Sequence, residues 1–516
     1  MALLAGHDRS REANLDILLD RTSPIPIYLQ IRNGIKAGIL SGDLPEGHRL
    51  PPERSLAKAL GVNRSTVFQA YRQLKEDGLI GAHVGRGTSV QPKRSSESQT
   101  AAIPALPWHQ MIRAGSAKEQ DPLIRDLLEL SEHQDVITLA VGVPAPDLLP
   151  VEILRAIQGR LLAEHGPEVL LHSPTEGLTS FRETLCHQMA ARGIQCTPSE
   201  VLVTSGSQQG LALMARVFLD PGDTVAVEEP SFFGALGAFR AAQARLVGIP
   251  MDGDGMRTDI LESVLARHRP KLVYTLPTFQ NPSGCVMSLE RRRHLLDLAY
   301  RYQVPILEDD PYSDLRYEGE ALPSLKSLDR CGHVIYLSSF SKILFPGLRL
   351  GWLAAPPPVV RQLALVKQSL DLHCNTFGQW VLDRFVRDGC LLDHIQTVCT
   401  AYVLRRNVML EALQASAPPG LSWTHPRGGF YIWCTFSHGI PPARLLARAA
   451  RKRVSYLPGA ACYAGEPGEN HLRLNFTFPN PEQIREGIAR LVEALRDIGA
   501  EPRSGPHYRG GTPPIV

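Results

Sequence analysis

From about residue 122 to residue 498 this chain repeats one pattern: a short apolar run, a turn, then a helix-like segment. Val201-Leu202-Val203-Thr204 and Val304-Pro305-Ile306-Leu307 are runs of this kind, too short for a helix and apolar on successive residues, as buried strands are. Strands alternating with helices predict an α/β body. The whole chain has 516 residues, enough for roughly two to four domains, and its 43% hydrophobic and 21% charged residues are ordinary for a globular protein.

The text around that body differs from it. Residues 21–92 read as a separate compact head, 93–121 as a flexible Ser/Gln/Pro/Ala-rich linker, 122–498 as the body and 499–516 as a disordered Pro/Gly-rich tail. The first twenty residues are polar, weakly periodic and expected to be frayed. Residues 21–92 hold ten Lys and Arg against five Asp and Glu, so of a net charge of +3 the rest of the chain carries −2. A basic head on a near-neutral body suits a chain that touches phosphate with one end. Nine scattered cysteines, with no CxxC pair and no Cys/His cluster, argue for reduced thiols and against a metal site or a secreted disulfide framework. No apolar run of 18 residues and no signal segment are present, so no membrane span is expected and the chain is read as cytoplasmic.

Within the head, Glu53 to Leu60 is amphipathic with Leu56 and Leu60 inward; Gly61 breaks it, and Asn63 is placed to cap a second helix. In that helix Val67, Ala70, Tyr71 and Leu74 fall at i, i+3, i+4 and i+7 and form the buried stripe, leaving Ser65, Gln69 and Arg72 outward and Phe68 on the flank. Two short helices joined by a glycine turn predict a helix-turn-helix whose second helix can enter a major groove. Residues 78–90 then fit two short strands around a Gly85-Arg86-Gly87 tip, a wing. Together with Pro26-Ile27-Tyr28-Leu29-Gln30-Ile31 this module resembles the winged helix-turn-helix of GntR-type regulators. That resemblance implies operator DNA as a partner, with Arg54, Arg64, Ser65, Thr66, Gly85 and Arg86 as contacts.

The densest chemical signal is Ser338-Ser339-Phe340-Ser341-Lys342, followed by Gly347-Leu348-Arg349-Leu350-Gly351. Hydroxyls such as Ser339 and the Arg349 guanidinium can hold a phosphate dianion beside a lysine able to form a Schiff base. The string resembles the cofactor-lysine motif of fold-type-I pyridoxal 5'-phosphate enzymes, the aspartate aminotransferase superfamily. Further segments follow in that family's order. Gly206-Ser207-Gln208-Gln209-Gly210 is a turn opening a helix, where Ser207 and Gln208 offer backbone N–H groups to phosphate. By resemblance, Phe232 stacks on the cofactor ring, Asn281 and Tyr312 touch its phenolic oxygen, and Asp309 holds its nitrogen protonated, while Asp310 is read as a capping acid. Arg473, in the strand-like His471-Leu472-Arg473-Leu474-Asn475, is then the clamp for a substrate carboxylate, and Gly428-Gly429-Phe430-Tyr431 matches a turn of the family's small subdomain. His172 departs from the pattern, standing where the family usually offers a tyrosine to the phosphate in the neighbouring subunit.

A GntR-type head on such a body is similar to the MocR/GabR subfamily of bacterial transcription regulators. The resemblance implies a winged helix-turn-helix joined to an α/β fold-type-I body with large and small subdomains. It also implies a homodimer, associated with the nucleoid when on DNA, and an amino acid or amine effector that displaces Lys342 from pyridoxal phosphate. A working aminotransferase with a secondary DNA-binding head is the competing reading, because the residues for proton transfer are all present, with Lys342 as the base.

Overall fold

The computed structural model describes residues 17, 19–21, 26–83, 87–91, 106, 111, 135–437, 442–465 and 470–500. The chain falls into two compact units, Met1–His109 and Gln110–Val516. The expected linker and tail lie almost wholly outside the described residues, as do Gly85 and Arg86 at the wing tip.

In the first unit, α1 (Ile27–Ser41), β1 (Arg49–Leu50), α2 (Glu53–Leu60), α3 (Arg64–Glu76), β2 (Ile80–His83) and β3 (Gly87–Val90) follow in order. The strands form an antiparallel sheet ordered β1-β3-β2, so the expected wing is a hairpin braced by a third strand. Ile31 and Ile35 of α1 meet Leu56 and Ala57 of α2 and Val67, Ala70, Tyr71 and Leu74 of α3 in one buried cluster. Gly61 ends α2 at φ +62°, a left-handed conformation that costs glycine little, and its N–H closes the helix on Ala57 and Lys58.

Two expectations are corrected here. Asn63 stands at the N-cap of α3, but its side chain makes no capping bond; the Thr66 N–H is taken by the Asn63 backbone carbonyl at 3.0 Å. The leader is not frayed throughout. Ile17 and Leu19 pack on the head's core, and Asp20 and Gln30 exchange two hydrogen bonds, each of 2.9 Å.

The second unit is built on an eight-stranded sheet: β5 (Val201–Thr204), β6 (Thr224–Glu229), β7 (Arg245–Asp252), β8 (Gly255–Met256), β9 (Leu272–Thr275), β10 (Ile306–Asp309), β11 (Val334–Ser339) and β12 (Gly351–Ala354). Its order is β5-β12-β11-β10-β9-β6-β7-β8. From β11 to β7 neighbouring strands are parallel, while β12 runs antiparallel to both its neighbours. Every residue of β5, β9, β10, β11 and β12 is buried, the reason these strands open on successive apolar residues rather than alternating ones, with polar side chains confined to their carboxyl ends in β5, β9, β10 and β11. A second, antiparallel sheet of four strands uses β13 (Leu421–Trp423), β14 (Tyr431–Phe436), β16 (Leu457–Pro458) and β17 (His471–Asn475) in the order β13-β14-β17-β16. β4 (Ile137–Thr138) pairs with β15 (Val454–Ser455), so the segment leading to Ala140 and Gly142 is tied to the chain's later half. No described helix is long and apolar enough to cross a membrane.

Candidate functional site

Ligands of open parallel sheets collect at the carboxyl ends of the strands, and this is where the chemically informative side chains meet. Asp309 is the last residue of β10 and is buried. The Tyr274 hydroxyl, on neighbouring β9, donates to Asp309 Oδ2 at 2.8 Å, while Asp309 Oδ1 has no hydrogen-bond partner. Burial pushes the Asp309 carboxyl up to about 7, with the Asp310 charge adding to it and the Tyr274 bond and Lys342 opposing. Asp310 is occupied structurally: Tyr336 donates to it at 2.8 Å and the Ser313 N–H at 3.2 Å.

Lys342 lies in the loop after β11, and its Nζ donates to the Gly142 carbonyl at 2.5 Å. Burial lowers its pKa below the ordinary 10.5, with Arg473 and Arg349 adding to the depression and Tyr431 and Asp309 opposing it. The shift brings the neutral, nucleophilic amine within easier reach than in an exposed lysine. In the same loop the Ser341 N–H donates to the Ser339 hydroxyl at 3.0 Å, and that hydroxyl is itself 3.2 Å from the Leu350 carbonyl, so Ser339 holds the loop's shape.

An anion cradle lies at the start of the helix Ser207–Phe218. Gly206 caps it at φ +80°, where an added Cβ would sit 2.7 Å from Arg349 Nη2, so glycine alone lets the guanidinium come this close. Arg349 itself has φ +53° and donates to the Ser205 carbonyl at 3.2 Å. A guanidinium over the first-turn N–H groups of a twelve-residue helix suits a phosphate. Gln208 Nε2 donates to the Gly234 carbonyl at 2.8 Å, and a Cβ on Gly234 would lie 2.5 Å from Phe232 Cζ, so Gln208 and Phe232 converge beside the cradle.

Arg473, in β17, is 2% exposed and reaches across the sheet boundary. Its Nη1 donates to Asn281 Oδ1 and its Nη2 to the Ala140 carbonyl, both at 2.8 Å, while Nε has no partner. The guanidinium carbon stands 4.0 Å from the centre of the Tyr431 ring. Tyr431 is 3.2 Å from Tyr312, hydroxyl to hydroxyl, and its own hydroxyl comes so near Gly142 that a Cβ there would be 1.9 Å away. Arg473 and Lys342 draw the Tyr431 pKa below the ordinary value against the effect of burial.

The structure thus brings the half-buried Lys342 together with the buried Asp309, Asn281, Tyr312 and Arg473 in one site, with Ser207, Gln208, Phe232 and Arg349 gathered at the cradle. His172 is exposed, and its Nδ1 lies 2.6 Å from His373 Nε2. In the first unit Arg54, Arg64 and Ser65 are exposed and Thr66 half-buried. Sequence reasoning missed Tyr274, Ala140 and Gly142, and left Tyr431 without a role. Only the Gly429-Phe430-Tyr431 turn carried a signal for any of these.

A pyridoxal phosphate matches this donor set: an amine for its aldehyde carbon, an unpartnered carboxylate oxygen for its ring nitrogen, and a cationic helix start for its phosphate. A mainly parallel sheet with a lysine loop at its carboxyl edge defines a fold-type-I, pyridoxal-phosphate-dependent body, preceded here by a winged helix-turn-helix. The chain belongs to the family "Aminotransferase class I and II", matched over residues 134–491, and carries a head of the family "Bacterial regulatory proteins, gntR family" at residues 27–90. Two relatives match nearly the whole chain. It is 33% identical to the HTH-type transcriptional regulator YisV of Bacillus subtilis over 93% of this chain and 98% of that one. With the probable rhizopine catabolism regulatory protein MocR of Rhizobium meliloti it shares 29% identity over 94% and 98%. The solved Pyrococcus horikoshii kynurenine aminotransferase, in complex with PMP, is similar over 77% of this chain and 99% of its own, at 42% identity and TM-score 0.73.

Proposed function

We propose that this chain is a pyridoxal-phosphate-dependent transcription regulator that binds operator DNA through its head and senses an amino acid or an acid-bearing amine at Lys342. The observation that carries the reading is the joining of a gntR-family head to a body whose buried Arg473 Nε and Asp309 Oδ1 lack partners. When bound, pyridoxal phosphate supplies an electrophilic carbon for an amine and a ring that withdraws electrons. The chain's own residues do the rest. Arg349 and the amides of Ser207 and Gln208 hold the phosphate, with Ser339 shaping the lysine loop beside them. Phe232 would face the ring, Asn281 and Tyr312 would bond its phenolic oxygen, and Asp309 would keep its nitrogen protonated. Arg473 holds the effector's carboxylate, and Lys342 takes up or returns a proton once an amine displaces it.

Arg54, Arg64, Ser65 and Thr66 contact the operator, together with Gly85 and Arg86. A cytoplasmic homodimer fits the reading, with His172 serving the phosphate held by the neighbouring subunit and two heads meeting two half-sites. The linker at 93–121 and the tail at 499–516 remain part of this domain proposal. The experiment is a panel of amino acids and amines added to the full-length, cofactor-loaded protein, reading visible absorbance and DNA affinity together. An effector shifts both, and Lys342→Ala abolishes both responses. Spectral change without any change in DNA binding, for every compound, refutes the regulatory reading.

A second reading keeps the same site and adds turnover. It is favoured by Lys342, whose lowered pKa suits a base that moves protons. Product formation from an amino acid and a 2-oxo acid, followed over many turnovers, distinguishes it.

A further inference from the structure

Helix α3 carries an aromatic side chain on a polar surface. Val67, Ala70, Tyr71 and Leu74 are wholly buried, yet Phe68 is 50% exposed. At 3.6 residues per turn, Phe68 lies on the flank of the solvent face, between Arg64 and Lys75 on one side and Ser65 and Arg72 on the other, with Glu76 farther round. Arg64, Ser65, Arg72 and Lys75 are all exposed. A single exposed apolar residue is common on protein surfaces; what distinguishes this one is its place on the helix predicted to enter the groove, beside Lys75 and two arginines that pair with exposed or half-buried carboxylates, Arg64 with Glu53 and Arg72 with Glu76.

An apolar protein partner would have to strip water from those cations. Duplex DNA would not, since its phosphates flank the groove and its floor offers apolar atoms at one kind of base. In the major groove the only methyl is the C5-methyl of thymine; every other base edge presents hydrogen-bond donors and acceptors that a phenyl ring cannot satisfy. We propose that Phe68 is a specificity-determining residue that reads a thymine methyl in each half-site, while Arg64 and Ser65 contact base edges or phosphate beside it. The inference rests on the DNA-binding reading of the head.

The test uses full-length protein and a duplex that it selects from a random-sequence pool. Thymines of that duplex are replaced one at a time by deoxyuridine, which removes only the methyl. At one position per half-site the unaltered protein should bind about fourfold more weakly, the equivalent of about 0.8 kcal/mol for one buried methyl. Phe68→Ala should bind the thymine and deoxyuridine duplexes equally, and Phe68→Leu should restore part of the preference. Phe68 is half-exposed, so these variants should fold, which an unchanged melting temperature checks. The proposal is overturned if no position discriminates, if Phe68→Ala keeps the preference, or if that variant alters the molecular mass in solution while leaving DNA affinity intact. Failure to select any duplex would instead sink the DNA-binding reading itself.

Discussion

The Tyr274 hydroxyl holds one oxygen of Asp309 at 2.8 Å and leaves the other without a partner. The bond orients the carboxylate across neighbouring strands, and it favours the ionised form that a protonated ring nitrogen needs. Tyr274→Phe should therefore weaken pyridoxal phosphate about fivefold, the loss of one hydrogen bond of about 1 kcal/mol. Asp309→Asn should weaken it more, because a charge-assisted contact disappears. Fluorescence titration with the cofactor measures both, and equal affinities in all three proteins would contradict this geometry.

Arg349 and Arg473 should separate cofactor from effector. Arg349→Ala removes a guanidinium from the cradle and should cost roughly 1.5–3 kcal/mol of cofactor binding, about tenfold to a hundredfold. Arg473→Ala should retain the cofactor and lose affinity for amino acids, with little change for the corresponding amines without a carboxylate. Paired titrations of both variants decide this; equal loss of both ligands in both would remove the division.

The rate at which Lys342 condenses with pyridoxal phosphate should depend on pH with a definite sign. Burial lowers the lysine pKa, so the neutral amine becomes available at lower pH than for an ordinary lysine. The rate should rise with pH and level off before 10.5. Stopped-flow absorbance gives the profile, and a rate still climbing at pH 10.5 would show an unperturbed amine.

In the head, Arg64 lies 3.4 Å from Glu53 Oε2, an exposed pair that contributes at most about 1 kcal/mol to stability. Glu53→Gln should thus barely alter melting, yet raise DNA affinity by freeing the guanidinium and removing a negative charge. Arg64→Ala and Arg54→Ala should lower affinity and flatten its salt dependence, by about one unit of slope for a lost phosphate contact, with the cofactor's visible spectrum unchanged. Mobility shifts at several salt concentrations test all three.

What could be read from the sequence was local. Lys342 and Arg349 sit within one loop, and Asp309 closes a short apolar run, so spacing and residue type exposed them. The stripe of α3 was legible because helical periodicity alone buries Val67, Ala70, Tyr71 and Leu74. Tyr274 could not be found this way: its bond to Asp309 arises from the register that sets Thr275 against Glu308 on adjacent strands. Ala140 and Asn281 meet Arg473 across 333 and 192 residues of chain, distances over which no periodicity carries information. Asn63 shows the opposite failure, since the position was right but the bond comes from backbone.

Arg473 is already held by two of the chain's own oxygens, on Ala140 and Asn281, and these come from segments that only the fold joins. A carboxylate arriving at this guanidinium meets a fork those two bonds have already oriented, with Nε still open to it. A donor held in place before its ligand arrives loses little freedom on capture, so the clasp favours affinity through stiffness rather than through added contacts. Substitutions at Asn281 slacken that fork and also touch the proposed contact to the cofactor, so one side chain ties the two ligands' affinities together.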